Sequence, residues 1–303
     1  MRGAPGPRLH AVGSSPFRAG PFRLVAMKKG INIWAFSSAD LASNFDVARD
    51  AGFEGVELAL DEAGAVGLDS SRDELSAVKE LAVEKQIELY SLATGLYWKY
   101  SMTSDDPATR AKAEDVVVRQ LEAAAALGCD TILVIPGMVA GLSPGGEVVP
   151  YDVVYERAYE AISRLAPRAR SLGVAIGLEN VWNGFFLSPL EMRDFVDKIN
   201  NPFVKVYFDV GNVIREGYAE QWINILAGRI AKVHFKDYKR AVGTLDGFCD
   251  LLSGDVDYPA VVAALSAIRY DDWVTAEVFP YRNHPEALIY GASAAMDRIL
   301  GKR

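Results

Sequence analysis

The residues that bind soft metals are scarce in this 303-residue chain: three histidines and two cysteines. Cys129 and Cys249 lie far apart and neither belongs to a C-x-x-C pair, which argues against a disulfide framework and a thiolate zinc site. Cys129, in "LGCDTILVIPG", sits where a helix hands over to a strand and reads as a packed core thiol, so a reducing, cytoplasmic setting is expected. No apolar run approaches the roughly 18 residues a membrane helix needs, and no membrane contact is expected. An excess of positive charge is missing too. The formal net charge of −8 opposes the clustered Lys and Arg of a broad nucleic-acid footprint, while leaving small anionic ligands open.

The first 26 residues lack acidic side chains, are rich in Gly, Pro and Arg, and have no compact apolar stretch of the kind a signal peptide carries. They read as a flexible extension, 1–26, ahead of a natural start at Met27, with residues 27–303 as the folded unit. His10 falls in the extension and is set aside.

From Lys29 onward two textures alternate. Eight β-rich runs recur: "GINIWAF", "GVELAL", "IELYSLATG", "TILVIPG", "AIGLEN", "VKVYFDVGN", "IAKVHFKD" and "WVTAEVF". Between them lie helical spacings such as "SRDELSAVKELAVEKQ", "ATRAKAEDVVVRQLEAAAALG", "YDVVYERAYEAISRLAPRARSLG", "SPLEMRDFVDKIN" and "DYPAVVAALSAIR". Two of these end on Gly, as helix caps do, and Ser188-Pro189 opens another. Eight strands alternating with helices predict an α/β fold, a (β/α)8 barrel in one domain. An open doubly wound sheet is disfavoured, because "NIWAFSSAD" offers no glycine for a phosphate loop after the first strand.

In such a barrel the chemistry sits at the C-terminal mouth of the strands. Strand five ends in Glu179, strand six in Asp209, strand seven in His234 and strand eight in Glu277. Singly, each reads as a salt-bridge partner, a cap or a satisfied core residue. Together, on four successive strands, three carboxylates without a cation would repel one another. With the imidazole they match one hard-to-borderline divalent ion: Mn2+, Mg2+, Co2+ or Fe2+.

"LEN" at Glu179, "DVGN" from Asp209, "VHFKD" around His234, "GDVDY" at 254–258 and "AEVF" around Glu277 together resemble the xylose isomerase-like TIM barrels, in their sugar and sugar-phosphate isomerase and epimerase branch. The resemblance covers residues 29–300. It implies that Glu179, Asp209, His234 and Glu277 ligate one divalent metal, Mn2+ first, and that Glu179 and Glu277 also carry protons. It implies a small sugar or sugar phosphate as substrate and a homodimer or homotetramer as the assembly. The chemistry is coherent: removing a proton beside a ketone gives an enediolate, which a divalent ion stabilises. Carboxylates on its two faces give an epimerase, and one carboxylate moving the proton between adjacent carbons gives an aldose–ketose isomerase.

The pattern departs from the free-ketose 3-epimerases at two places. Their second glutamate and their extra histidine are Phe185 and Asn212 here. "DVGN" is more similar to the branch acting on ketose phosphates, such as the L-ribulose-5-phosphate 3-epimerases. Candidate anion or substrate contacts are the glycine-rich "IPGMVAGLSPGGEVVPYD" (equally a plain surface loop), Lys236 (equally a partner of a ligand carboxylate), Trp34, Trp182, Asn183 and Asn212. Tyr97, Trp98, Phe279 and Tyr281 are further aromatics at strand ends. Glu57, in "VEL", reads as an internal salt-bridge partner, and His284 as the start of a helix. An inosose-type dehydratase on the same metal barrel is the rival reading. A metal-cluster nuclease would need more histidines than the chain has.

Overall fold

The computed structural model describes residues 26–142 and 145–302, so the expected N-terminal extension, apart from Ala26, and His10 lie outside the described residues. Strands β1 (Lys28–Asn32), β2 (Gly55–Leu60), β3 (Glu88–Thr94), β4 (Thr131–Val134), β5 (Ala175–Glu179), β6 (Val204–Asp209) and β7 (Ile230–Phe235) are followed by two short pieces, β8 (Asp237–Tyr238) and β9 (Phe248–Cys249), and then by β10 (Trp273–Ala276). β8 and β9 pair antiparallel with each other. The other eight strands close a parallel barrel in the order β1-β10-β7-β6-β5-β4-β3-β2. The expected (β/α)8 barrel is what the chain forms.

Helices α1 (Leu41–Asp50), α2 (Arg72–Glu84), α3 (Pro107–Leu127), α4 (Tyr151–Leu172), α5 (Pro189–Ile199), α6 (Ala219–Leu226), α7 (Tyr258–Ala267) and α8 (Pro285–Leu300) connect the strands. Their ends follow local chemistry. Ser71 and Glu74 form a reciprocal capping box at α2. α3 and α4 stop at Gly128 and Gly173, whose left-handed backbone suits glycine. Ser188 caps α5 with Pro189 in its first turn. α1 and α6 go beyond the helices the spacing picks out; both are short, and α1 carries only a few apolar positions.

The main core joins outward strand residues such as Val56, Leu58 and Ile132 to helix residues such as Val116, Ile162 and Phe195. Each fully buried large side chain there contributes on the order of 1.5–3 kcal/mol. Inside the barrel is a separate small cluster of Ala93, Leu133 and Tyr207, with Trp34 packed above it. The strand register shifts twice, between Val56 and Leu58 and between Val206 and Tyr207. Irregularities of this kind re-aim side chains. These two flank Glu57 and Tyr207, which meet in the barrel interior beneath the strand ends.

Candidate metal centre

Glu179 is the last residue of β5 and Asp209 the last of β6. His234 is the penultimate residue of β7. Glu277 comes one residue after β10, where its N–H still pairs with the Phe235 carbonyl. One potential ligand atom from each of the four lies within 4.8 Å of all the others, and all four residues are buried. The structure therefore brings together the four residues read from the strand ends.

The donor set fits a divalent cation on a specific ground. Asp209 Oδ2 and His234 Nδ1 are fully buried and make no hydrogen bond. Buried polar atoms left unpaired are expensive, and two of them converging among carboxylates is the arrangement a cation would satisfy. Nδ1 lies 3.1 Å from Glu277 Oε2 and 3.9 Å from Glu179 Oε1.

His234 is oriented from behind. Its Nε2 sits 2.8 Å from Glu57 Oε1, an arrangement that leaves Nδ1 to face the three carboxylates, as in a histidine oriented for a metal. Glu57 is completely buried yet fully partnered. Asn32 Nδ2 donates to it at 2.5 Å, Ser91 Oγ at 2.6 Å, and the Tyr207 hydroxyl donates as well. Burial alone would raise its pKa, but His234, Ser91 and Tyr207 hold the carboxyl below its ordinary value. Burial opposes the charged imidazole, and Glu57 and Glu277 overcome it, pushing His234 well above the usual range. The internal pairing expected of Glu57 is observed; that its partner is His234, which it orients, is not visible in the sequence.

The three carboxylates differ from one another. Burial and the neighbouring Glu277 charge push Glu179 well above the carboxylate range. Burial also raises Asp209, to about 7, with Lys236 opposing. Glu277 goes the other way: burial would raise it, but Lys236 and His234 hold it down. Lys236 Nζ donates to Glu277 Oε2 at 2.8 Å and lies 3.6 Å from Asp209 Oδ2. Of the two readings of Lys236, pairing with the strand-end carboxylates is the contact present.

A latch joins the ends of β5 and β6. Asn180 Nδ2 donates to the Asp209 carbonyl at 2.8 Å, and Asn180 Oδ1 accepts from the Asp209 N–H at 2.9 Å. Asn212 N–H donates to Asp209 Oδ1 and Asn212 Nδ2 to the Asn180 carbonyl. Asn180 was not singled out in the sequence, although "LEN" contains it. Gly211 is required here, because a Cβ would sit 2.8 Å from the Lys236 carbonyl oxygen.

A cavity of about 760 Å3 opens above the four residues. Glu179 and Glu277 face it, with Lys236, Asn212, Trp34, Trp98, Trp182 and Phe279 in its walls. Asp209 and His234 form no part of that lining and are wholly buried. Other candidates lie elsewhere. Asn183 is turned away: its Nδ2 donates to the Gly137 carbonyl and its Oδ1 accepts from Phe185 N–H. Tyr97 is buried with its hydroxyl on Gln120. Tyr281 donates to Asp250. Phe185 packs with Phe186 and Phe195 in an aromatic cluster. His284 does precede α8, exposed and with a left-handed backbone. In the glycine-rich loop, the N–H groups of Met138, Val139, Ala140 and Val149 already donate within the protein, which removes them from an anion cradle. Cys129 and Cys249 are free thiols, Cys129 buried as expected. Among the described residues no helix is long and apolar enough to cross a membrane.

Comparison with known proteins agrees with this architecture. L-ribulose-5-phosphate 3-epimerase UlaE of Salmonella paratyphi C (strain RKS4594) is 23% identical over 235 residues, covering 74% of this chain and 77% of the relative. The crystal structure of D-psicose 3-epimerase in the presence of D-fructose superposes with a TM-score of 0.76 at 20% identity, covering 91% of this chain and 100% of that one. The structure of L-ribulose 3-epimerase gives 0.72 at 22% identity, covering 91% and 95%. At these identities the structural likenesses concern the fold. Residues 45–299 match the family described as xylose isomerase-like TIM barrel, and the chain belongs to that family.

Proposed function

We propose that the protein is a divalent-metal-dependent sugar epimerase or isomerase that works through an enediolate, with Glu179, Asp209, His234 and Glu277 as metal ligands and Mn2+ as the ion. The observation that carries this reading is the division within the ligand set. Glu179 and Glu277 line the cavity, whereas Asp209 and His234 are sealed beneath it. β5 and β10 are separated in the barrel by β6 and β7. The two cavity-facing carboxylates therefore reach a bound substrate from different sides of the rim.

When bound, the ion supplies Lewis acidity that polarises the substrate carbonyl and stabilises the enediolate charge. The chain's own residues do the rest. One glutamate removes the proton beside the ketone, and the other returns it to the opposite face, which inverts that carbon. Lys236 keeps a positive charge beside Glu277 and fixes its orientation. Trp34, Trp98, Trp182 and Phe279 form apolar walls that exclude water and strengthen the electrostatics inside. Asn212 and Lys236 are the polar wall residues proposed to meet substrate hydroxyls.

The test is solvent exchange in deuterium oxide with Mn2+, followed by proton NMR on a panel of ketoses and ketose phosphates. Deuterium at C3 with a new stereoisomer identifies an epimerase, and deuterium at C1 or C2 an isomerase. Loss of water from the substrate would replace the proposal with an elimination. Glu277→Gln weakens the ion as well, so it is assayed at Mn2+ concentrations that keep the site loaded, where exchange is expected to fall by about 10²- to 10⁴-fold. Tight metal binding without exchange on any sugar would overturn the proposal.

A further inference from the structure

Resting on the proton-transfer reading, we propose that Arg215 selects the substrate: its guanidinium receives an anionic group, a phosphate or a carboxylate, carried by the sugar away from the reacting carbon. Arg215 stands in the wall of a side chamber that opens beside the catalytic cavity and shares Trp182, Asn212 and Leu245 with it. A substrate whose reacting carbon lies over Glu179 and Glu277 can therefore extend its far end past Trp182 toward this guanidinium.

The guanidinium is held in place without being consumed by a partner. Its Cζ lies 5.0 Å from the centroid of the Trp182 ring, and a guanidinium on a ring face keeps its N–H edge for another group. Among the described residues that edge makes no hydrogen bond, and Glu216 Oε1 lies 3.5 Å from Nε. The two side chains of that pair are 47% and 78% exposed, so the contact contributes little and a ligand can displace it. Platform and turn are both fixed. Trp182 Nε1 donates to the Asn212 carbonyl at 2.8 Å, and its ring packs against Tyr238 with centroids 5.1 Å apart. Arg240 grips the turn that carries Arg215, donating from Nε to the Ile214 carbonyl at 2.9 Å and from Nη2 to the Gly217 carbonyl at 3.0 Å. An arginine anchored in this way has little freedom left to lose on binding.

The distribution of charge singles out Arg215. Among the described residues, Lys236 and Arg215 are the cationic side chains in the two walls. Lys236 is engaged by Glu277 at 2.8 Å and Asp209 at 3.6 Å, which leaves Arg215 for an incoming anion. Backbone donors are available as well. Gly184 and Gly243 line the same chamber with left-handed backbone, and their N–H groups meet no acceptor among the described residues. A guanidinium fork together with uncommitted amides is the donor set that phosphate and carboxylate oxygens call for.

The experiment uses the Mn2+-loaded protein and matched sugars: D-fructose, D-fructose 6-phosphate and D-fructuronate, with D-ribulose and D-ribulose 5-phosphate as a further pair. Binding is read by calorimetry and proton transfer by deuterium exchange. At least one anionic sugar is expected to bind about tenfold or more tighter than its neutral parent. Preference for phosphate over fructuronate, or the reverse, names the source of the charge. Arg215→Met, which keeps a long side chain on Trp182 without the fork, should lower that anionic-to-neutral affinity ratio by about 10- to 100-fold. Arg215→Lys should restore only part of it. Neutral sugars that bind as tightly as their anionic forms overturn the inference. So does a ratio that Arg215→Met leaves within about twofold of the parent, which places the anion at the Mn2+ ion or elsewhere. Failure of the underlying reading looks different: an anionic sugar binds and depends on Arg215, yet no probe exchanges deuterium.

Discussion

Replacing Glu57 by glutamine perturbs the metal centre without touching a ligand. The carboxylate accepts from four groups, Asn32 Nδ2, Ser91 Oγ, the Tyr207 hydroxyl and His234 Nε2, all buried. Glu57→Ala would strand those four groups at about 1–3 kcal/mol each, a total comparable with the roughly 5–15 kcal/mol that holds a typical domain together. It is expected to yield insoluble protein. Glu57→Gln keeps the shape and an acceptor for His234 but removes the charge that makes its imidazole a basic ligand and forces the hydroxyls to re-pair. Loss of a carboxylate behind a ligating histidine typically costs about 10- to 100-fold in metal affinity, or about 1.4–2.7 kcal/mol. The assay is competition for Mn2+ against a fluorescent chelator, with thermal unfolding of the metal-free protein in parallel. A Mn2+ affinity within about twofold of the parent, in a variant that folds, would refute the reasoning: either His234 is not a ligand or Glu57 does not position it.

Further predictions concern the same rim. Asp209, raised to about 7 by burial, is partly protonated at neutral pH without a metal. Mn2+ must displace that proton, so affinity should rise from pH 6 to pH 8; titration calorimetry in buffers of different ionisation enthalpy should register proton release, and a pH-independent affinity would contradict this. Lys236→Met removes an ammonium that competes with a cation for Glu277 and Asp209. It should tighten Mn2+ binding on the order of tenfold while lowering turnover; weaker binding would show that the lysine supports the ligands instead. Gly211→Ala drives a methyl into the Lys236 backbone, an overpacking of about 1–3 kcal/mol, and scanning calorimetry should find a clearly lower Tm. An unchanged Tm would mean the loop yields freely.

The barrel was legible because its strands are largely buried on both faces and read as apolar runs, and the convergence of the four strand-end residues because each interrupts or ends such a run. What was hidden depends on contacts across the barrel. Glu57 meets His234 from 177 residues away, and no spacing rule spans that distance. Asn180 escaped notice because it pairs with a backbone, that of Asp209, and a backbone has no sequence signature. Asn183 drew attention for the opposite reason. It stands close to a ligand in sequence, but the chain turns through Gly184 at φ +75 and its amide serves Gly137. α6 spans only eight residues, and α1 is polar at half of its positions, so neither pattern stands out.

The latch of Asn180, Asp209 and Asn212 has a kinetic consequence. It ties the end of β6 to the residue that follows Glu179 through the protein's own groups, and it uses Asp209 Oδ1 while leaving Oδ2 unpaired. Bonds of this kind limit how far Glu179 and Asp209 can part, so little conformational entropy should be lost when an ion is captured. Loading should be governed by how quickly the ion sheds its water, with no slow refolding phase, and stripping the metal should leave the ends of β5 and β6 as protected from hydrogen exchange as before.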